Sequence, residues 1–199
     1  MRWDNLFDDL ESQLEQELGA EEVDLLAEEE RLRLGRLALR DRLAAIVRSD
    51  AAATEPLRLT LRGGGSVAVR ATTIGRDWIA GELLIEGVPR GSCVVPLSGV
   101  AGILPTAAQL ELSLHAEAAA EPATSLSARL GLTFVLRDLC RRRAVLELVT
   151  PAERLHGTID RVGRDHLDLA EHDPSEPRRE RAVRRVRLLP LSELLLVRF

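Results

Sequence analysis

The 199-residue sequence reads as an α+β protein: N-terminal acidic helices over residues 1–48, then two tandem five-stranded small barrels at 55–115 and 144–199, joined by a helix at 124–143. Three features carry this reading. The apolar period changes from about 3.6 residues in the first segment to 2 after residue 56. Glycines and prolines cut the later region into short alternating runs. That region also repeats: Ile74-Gly75-Arg76-Asp77 returns as Val162-Gly163-Arg164-Asp165 at an offset of 88, and Pro96-Leu97-Ser98 returns as Pro190-Leu191-Ser192 at an offset of 94.

Each element follows from its pattern. Trp3, Phe7, Leu10, Leu14 and Leu18 recur every three or four residues among acids, which predicts an amphipathic helix over 3–18 stopped at Gly19. Glu21 to Val47 reads as a longer helix, acidic at its start and arginine-rich at its end, a polarity that suits the helix dipole. Ser49 to Pro56 is a linker. Leu57, Leu59 and Leu61 alternate with polar residues, Gly63-Gly64-Gly65 turns the chain, and Val67, Val69 and Ala71 alternate again. Trp78 to Ile85, Cys93 to Val95 and Val100 to Leu104 complete a first set of five strands. Leu110, Leu112 and Leu114 read as an edge strand, and Ala116 to Ala123 as a loose linker. A helix capped by Ser125 or Ser127 runs to about Arg141. Val145–Val149, Leu155–Asp160, Asp165–Ala170, Ala182–Leu189 and Leu194–Arg198 read as five further strands.

The repeat supports a duplicated unit of helix plus five strands. Without a gap, its first offset lays Leu57–Leu61 on Val145–Val149, and the six-residue difference between offsets falls in the loop Glu171 to Glu180. Upstream, Arg33-Leu34-Gly35 matches Arg129-Leu130-Gly131, and Leu39-Arg40-Asp41 matches Leu136-Arg137-Asp138.

Composition narrows the function. All 27 basic residues are arginine, and lysine and tyrosine are absent, the mark of a GC-rich genome. The net charge of −5 is concentrated in residues 1–50, which hold 14 acidic and 7 basic residues; the rest is near neutral. The five aromatics, Trp3, Phe7, Trp78, Phe134 and Phe199, leave little for base stacking. No apolar run approaches the ~20 residues of a membrane span, and the opening Met1-Arg2-Trp3-Asp4 is not that of a signal peptide. Cys93 and Cys140, without a Cys-x-x-Cys motif, suit reduced thiols in a cytoplasm.

The run Leu155-His156-Gly157-Thr158-Ile159-Asp160-Arg161-Val162-Gly163-Arg164-Asp165-His166-Leu167-Asp168-Leu169, closed by Leu189-Pro190-Leu191-Ser192 to Val197, resembles the Sm-like or SH3-like small barrel. The resemblance covers roughly 57–104 and 144–199. It implies RNA binding through an Asp-x-x-Asn element and a late Arg-Gly, and it implies rings of like subunits. This sequence has Asp165-His166-Leu167-Asp168 and Asp77-Trp78-Ile79-Ala80 in place of the first element, and no Arg-Gly follows in the second copy. The whole chain, from Arg2-Trp3-Asp4 to Glu171-His172 and Arg178-Arg179, also resembles an uncharacterised family of high-GC Gram-positive bacteria often given a Fis-family transcriptional regulator label. A Fis-type reader needs a C-terminal helix-turn-helix, whereas this C-terminus reads as strands.

No catalytic constellation emerges. His166, Asp168, His172 and Asp165 lack zinc-ligand spacing and read as a surface strand entering a polar loop. Ser98 and Ser192 occupy equivalent turns without a base nearby, and the triple glycine lacks the Gly-Lys-Ser/Thr of a phosphate loop. Cys93 and Cys140 read as small core residues. No cofactor or metal is expected. Arg178, Arg179, Arg181, Arg184, Arg185 and Arg187, with Arg141, Arg142 and Arg143 before the same barrel, form a candidate phosphate-holding patch, set against neutralisation by nearby carboxylates such as Glu176, Glu180, Asp168 and Glu171. Trp3, Phe7, Leu10 and Leu14 form a candidate partner-binding face. The expected function is a non-enzymatic cytoplasmic interaction protein, a protein-binding adaptor whose partner the sequence does not identify; the alternative is RNA or DNA binding through the arginines. Homo-oligomer formation is compatible with both, and membrane binding with neither.

Overall fold

The computed structural model of the chain describes residues 22–49, 55–84, 91–115, 126–175 and 179–199. The chain divides into two units, Met1–Ala38 and Leu39–Phe199. In the first, α1 covers 22–35 and its end tightens into bonds from the Arg36 amide to the Arg33 carbonyl and from the Leu37 amide to the Leu34 carbonyl. The single helix expected from Glu21 to Val47 is therefore two. Gly35, with its high helical entropy cost, sits at the break.

The second unit opens with α2 (Leu39–Arg48), whose Leu43, Ala44, Ala45 and Ile46 are buried. Five strands follow: β1 (Leu57–Leu61), β2 (Ser66–Ile74), β3 (Trp78–Leu84), β4 (Gly91–Pro96) and β5 (Val100–Leu104). Then come α3 (Ala107–Leu114), α4 (Leu126–Arg129) and α5 (Leu132–Arg141), and a second five: β6 (Val145–Val149), β7 (Arg154–Val162), β8 (His166–Glu171), β9 (Arg185–Pro190) and β10 (Leu196–Arg198). The triple glycine makes the β1–β2 turn as expected. Gly64 and Gly65 have φ of 86° and 82°, in the left-handed region where a side chain would be strained.

All ten strands form one antiparallel sheet in the order β5-β1-β2-β3-β4-β10-β6-β7-β8-β9. The α+β expectation holds. The sheet does not close, and β10 pairs with β4 at its middle, placing Val197 opposite Val94. The two halves repeat one pairing scheme. A register shift between Ala71 and Thr73 in β2 recurs between Ile159 and Arg161 in β7. Trp78 faces Pro96 across β3 and β4 as His166 faces Pro190 across β8 and β9. The Leu97 amide bonds the Asp77 carbonyl as the Leu191 amide bonds that of Asp165. The gapless overlay of β1 on β6 is one residue out of phase: Leu57, Leu59 and Leu61 are buried in β1, but Leu146 and Leu148 are buried in β6. Leu57 pairs with Val69 while Val145 pairs with Thr158, so the β1–β2 turn is one residue longer. A one-residue slip moves every side chain to the other face, so burial decides the phase.

Three further expectations are corrected. Leu110–Leu114 is not an edge strand; it belongs to α3. There the Thr106 side chain accepts from the Gln109 amide and the Gln109 side chain accepts from the Thr106 amide, a capping box. Gln109 and Ser113, four apart, are its buried residues, a helical period that the alternating leucines masked. The connecting helix is broken at Leu130 and Gly131 into α4 and α5. The β9 strand begins at Arg185, since Glu180–Ala182 forms a 3-10 turn. The linker expected at 116–123 lies outside the described residues, as does Ser125.

Two apolar clusters fill the unit, and each draws on both halves of the sheet. One joins Leu43, Ile46, Leu59, Val69 and Ile79 with Leu195 and Leu196. The other joins Leu136, Leu148, Leu167 and Val197 with Trp78 and Val94. Leu148 is wholly buried. Leu148→Ala should lower unfolding free energy by about 2–5 kcal/mol, checked by urea denaturation; a change below about 1 kcal/mol would contradict this packing.

Candidate functional site

The arginines group by their partners. Arg185 faces Glu171 directly across β8 and β9, and Arg187 reaches the same carboxylate diagonally. Arg185 Nε donates to Glu171 Oε2 at 2.7 Å and Arg187 Nε to Oε1 at 2.5 Å, while Arg187 Nη1 donates to Glu153 at 2.7 Å. Arg184 lies 3.8 Å from Asp173. Arg141 and Arg142 both fold back on Asp138, three and four residues earlier on the same helix. Arg143, Arg179 and Arg181 are exposed, and Arg143 ends α5 with φ of 50°. Arg178 lies outside the described residues, as do Trp3, Phe7, Leu10 and Leu14. Five of the nine arginines named from the sequence are thus held by carboxylates. Asp138 was legible at helical spacing; Glu153 and Asp173 needed the strand register.

Glu171 is the hub of this network. Burial pushes its carboxyl upward, but hydrogen bonds from Arg187 and then Arg185, with their charges, outweigh it and hold the group below the ordinary glutamate range. A polar cleft of about 200 Å³ opens beside it, lined by Arg154, His156, His172 and Arg184 among others. His172 is buried there, its Nε2 at 2.8 Å from the Thr158 hydroxyl and its Nδ1 at 2.9 Å from the Asp173 carbonyl.

The His166–Asp165 pair, Asp168 and His172 each have separate partners. His166 Nδ1 is 2.9 Å from Asp165, Asp168 lies 3.5 Å from Arg161, and His172 is committed to Thr158. Among the described residues no group of three histidine, cysteine or carboxylate side chains could hold a metal ion. Ser98 and Ser192 are exposed in matching 3-10 turns. Both cysteines are free. Burial pushes the Cys93 thiol up to about 11 against a backbone hydrogen bond at Gly81, so it stays protonated and unreactive. The C-terminal residues form β9 and β10, not a helix-turn-helix. Among the described residues no helix is long and apolar enough to cross a membrane.

The turn between β2 and β3 does something that sequence reasoning missed. Asp77 Oδ1 accepts from the Leu132 amide at 2.7 Å, capping α5 from 55 residues away. The Trp78 indole N–H and the Arg76 amide both donate to the Leu130 carbonyl at 3.0 Å. Arg76-Asp77-Trp78 of the first half therefore grips the helix that leads into the second. The matching residues Arg164, Asp165 and His166 are all exposed.

An apolar opening lies at one end of the sheet. It is a cleft of about 330 Å³ between α2, β5 and α3, with Leu39, Leu43, Ile46 and Ile103 on its walls and Arg42 bonded to Ser113 at its rim. Val100, Ala101, Gly102 and Ile103 all line it. Successive strand residues point to opposite faces, so a cleft touching four in a row runs along the strand's edge. Among the described residues that edge is unpaired, because β5 bonds only β1 there.

Neither protein-family models, nor curated proteins, nor solved structures match this chain.

Because the folded state lowers the Glu171 pKa, its contribution to stability is complete above the ordinary glutamate range and fades as pH falls through the lowered value. Glu171→Gln should lower the thermal midpoint at neutral pH by a few degrees, and the gap from the parent protein should narrow on acidification. A gap that widens in acid would contradict the network.

Proposed function

We propose that this is a non-enzymatic cytoplasmic interaction protein that binds protein partners, with the cleft along the free edge of β5 as its principal docking surface. One observation carries the reading. Among the described residues an unpaired strand edge lies beside an apolar groove, the combination that lets an incoming strand bond to the backbone and seat alternate side chains. The acidic amphipathic sequence with Trp3, Phe7, Leu10 and Leu14 serves as a second docking element. In this reading each half of the sheet is a small Sm-like or SH3-like unit. Its support is the shared strand order, β5-β1-β2-β3-β4 beside β10-β6-β7-β8-β9, with α5 leading into the second.

RNA or DNA binding is the second reading, supported by exposed Arg143, Arg179 and Arg181. It ranks lower because Arg141, Arg142, Arg184, Arg185 and Arg187 already face carboxylates.

Fluorescence anisotropy with labelled single-stranded RNA and duplex DNA, at about 50 and 200 mM salt, separates the two. The protein-binding reading expects at most weak, sequence-indifferent binding that Arg143→Ala, Arg179→Ala and Arg181→Ala leave unchanged. Tight binding that weakens more than about tenfold with salt, and further in those variants, would overturn it.

A further inference from the structure

Charge distinguishes the polar cleft beside Glu171 from the apolar one at β5. In the polar cleft Glu153, Glu171 and Asp173 stand among Arg154, Arg184 and Arg185, so the charges balance. The apolar cleft has Arg42 as its one charged wall among the described residues.

Arg42 also stands apart from the other arginines. Six arginines are half-buried among the described residues. Arg33, Arg40, Arg70, Arg187 and Arg198 each meet a carboxylate at 3.2 Å or less. Arg42 meets none there; its acceptor is the Ser113 hydroxyl, reached by Nε at 3.2 Å and Nη2 at 2.9 Å. Ser113 is 3% exposed, and its hydroxyl donates onward to the Leu110 carbonyl at 2.7 Å, which fixes its oxygen as the acceptor for Arg42. One edge of the guanidinium is therefore held in place. The other edge, Nη1 with the second N–H of Nη2, has no acceptor among the described residues. That edge matches the two oxygens of a carboxylate, and partial burial strengthens the pull of an unpaired cation on an anion.

We propose that this cleft binds a medium-chain aliphatic carboxylate, its head on the open edge of Arg42 and its tail against Leu39, Leu43, Ile46 and Ile103. Size sets the length. About 330 Å³ holds roughly ten non-hydrogen atoms at the ~30 Å³ that a water takes in the liquid, the size of an eight-carbon acid. Charge sets the head: one guanidinium balances one negative charge, and no acidic wall among the described residues repels it. A doubly charged phosphate head would bring a second charge that nothing there answers. The site goes beyond the protein-docking reading. The acid takes the space offered to a docked strand's side chains, so the two compete.

Isothermal titration of the full chain with sodium octanoate, octan-1-ol and octylammonium chloride at neutral pH tests this. Octanoate should bind about tenfold more tightly than octanol, or better, with octylammonium the weakest. Arg42→Gln should weaken octanoate by about tenfold or more and leave octanol unchanged, a split that lost packing does not produce. Leu39→Asp, at a residue 54% exposed, should weaken octanoate by placing a like charge beside it. Circular dichroism confirms folding, and Arg42→Met, which keeps the apolar stem, replaces a glutamine variant that fails it. No octanoate binding up to about 5 mM, octanol binding as tightly as octanoate, or an Arg42 variant that holds octanoate as the parent does would each overturn the proposal. Those outcomes leave strand addition at β5 standing, because it does not use Arg42.

Discussion

The pairing of β4 with β10 organises the second unit of this chain. It is short, with Val197 opposite Val94 and Arg198 opposite Cys93. Its weight comes from what it buries. Val94 and Val197 are almost fully covered, and complete burial of a side chain of this size is worth about 1.5–3 kcal/mol. Without the crossover each half would present a strand edge and an incomplete apolar cluster to water. With it, the last strand of the chain closes the second half and welds it to the first, while Leu195 and Leu196 complete the first cluster.

Polar contacts reinforce the same seam. The Asp77 carboxylate, the Trp78 indole and the Arg76 amide converge on Leu130 and Leu132 at the start of α5. A helix N-terminus needs acceptors for its first amides, and Gly131, at its cap, has no side chain to supply one. The distant aspartate meets that need. In the second half the same turn holds His166 against Asp165 at the surface. One repeated turn thus has two environments, set by whether a helix lies against it.

The arginines show a similar division between composition and context. Their density toward the C-terminus suggests a phosphate-binding patch, yet the β8–β9 register puts Glu171 between Arg185 and Arg187. Side chains two apart share a strand face, so both arginines reach one carboxylate. Surface pairs are individually weak, but a shared, largely buried carboxylate ties β9 to its neighbour and lowers the local positive field. The apolar cleft at β5, by contrast, had no compositional signal. Its walls come from residues 39–46, 100–105 and 113, each unremarkable alone.

Local pattern alone determined the strands: period-two alternation, with glycine and proline at the turns, located all ten to within three residues at either end, and the Ile-Gly-Arg-Asp and Pro-Leu-Ser repeats aligned their equivalent turns. It failed where two periods fit one stretch. Leu110–Leu114 alternates like a strand but is capped and buried like a helix, and β1 overlays β6 only after a one-residue slip. Tertiary structure alone decided that the two halves share one open sheet, that Asp77 caps a helix 55 residues away, and which arginines are neutralised. The physical reason is the same in each case. Periodicity reports which face of an element is apolar, whereas long-range pairing depends on which edges and amides remain unsatisfied once those faces are buried.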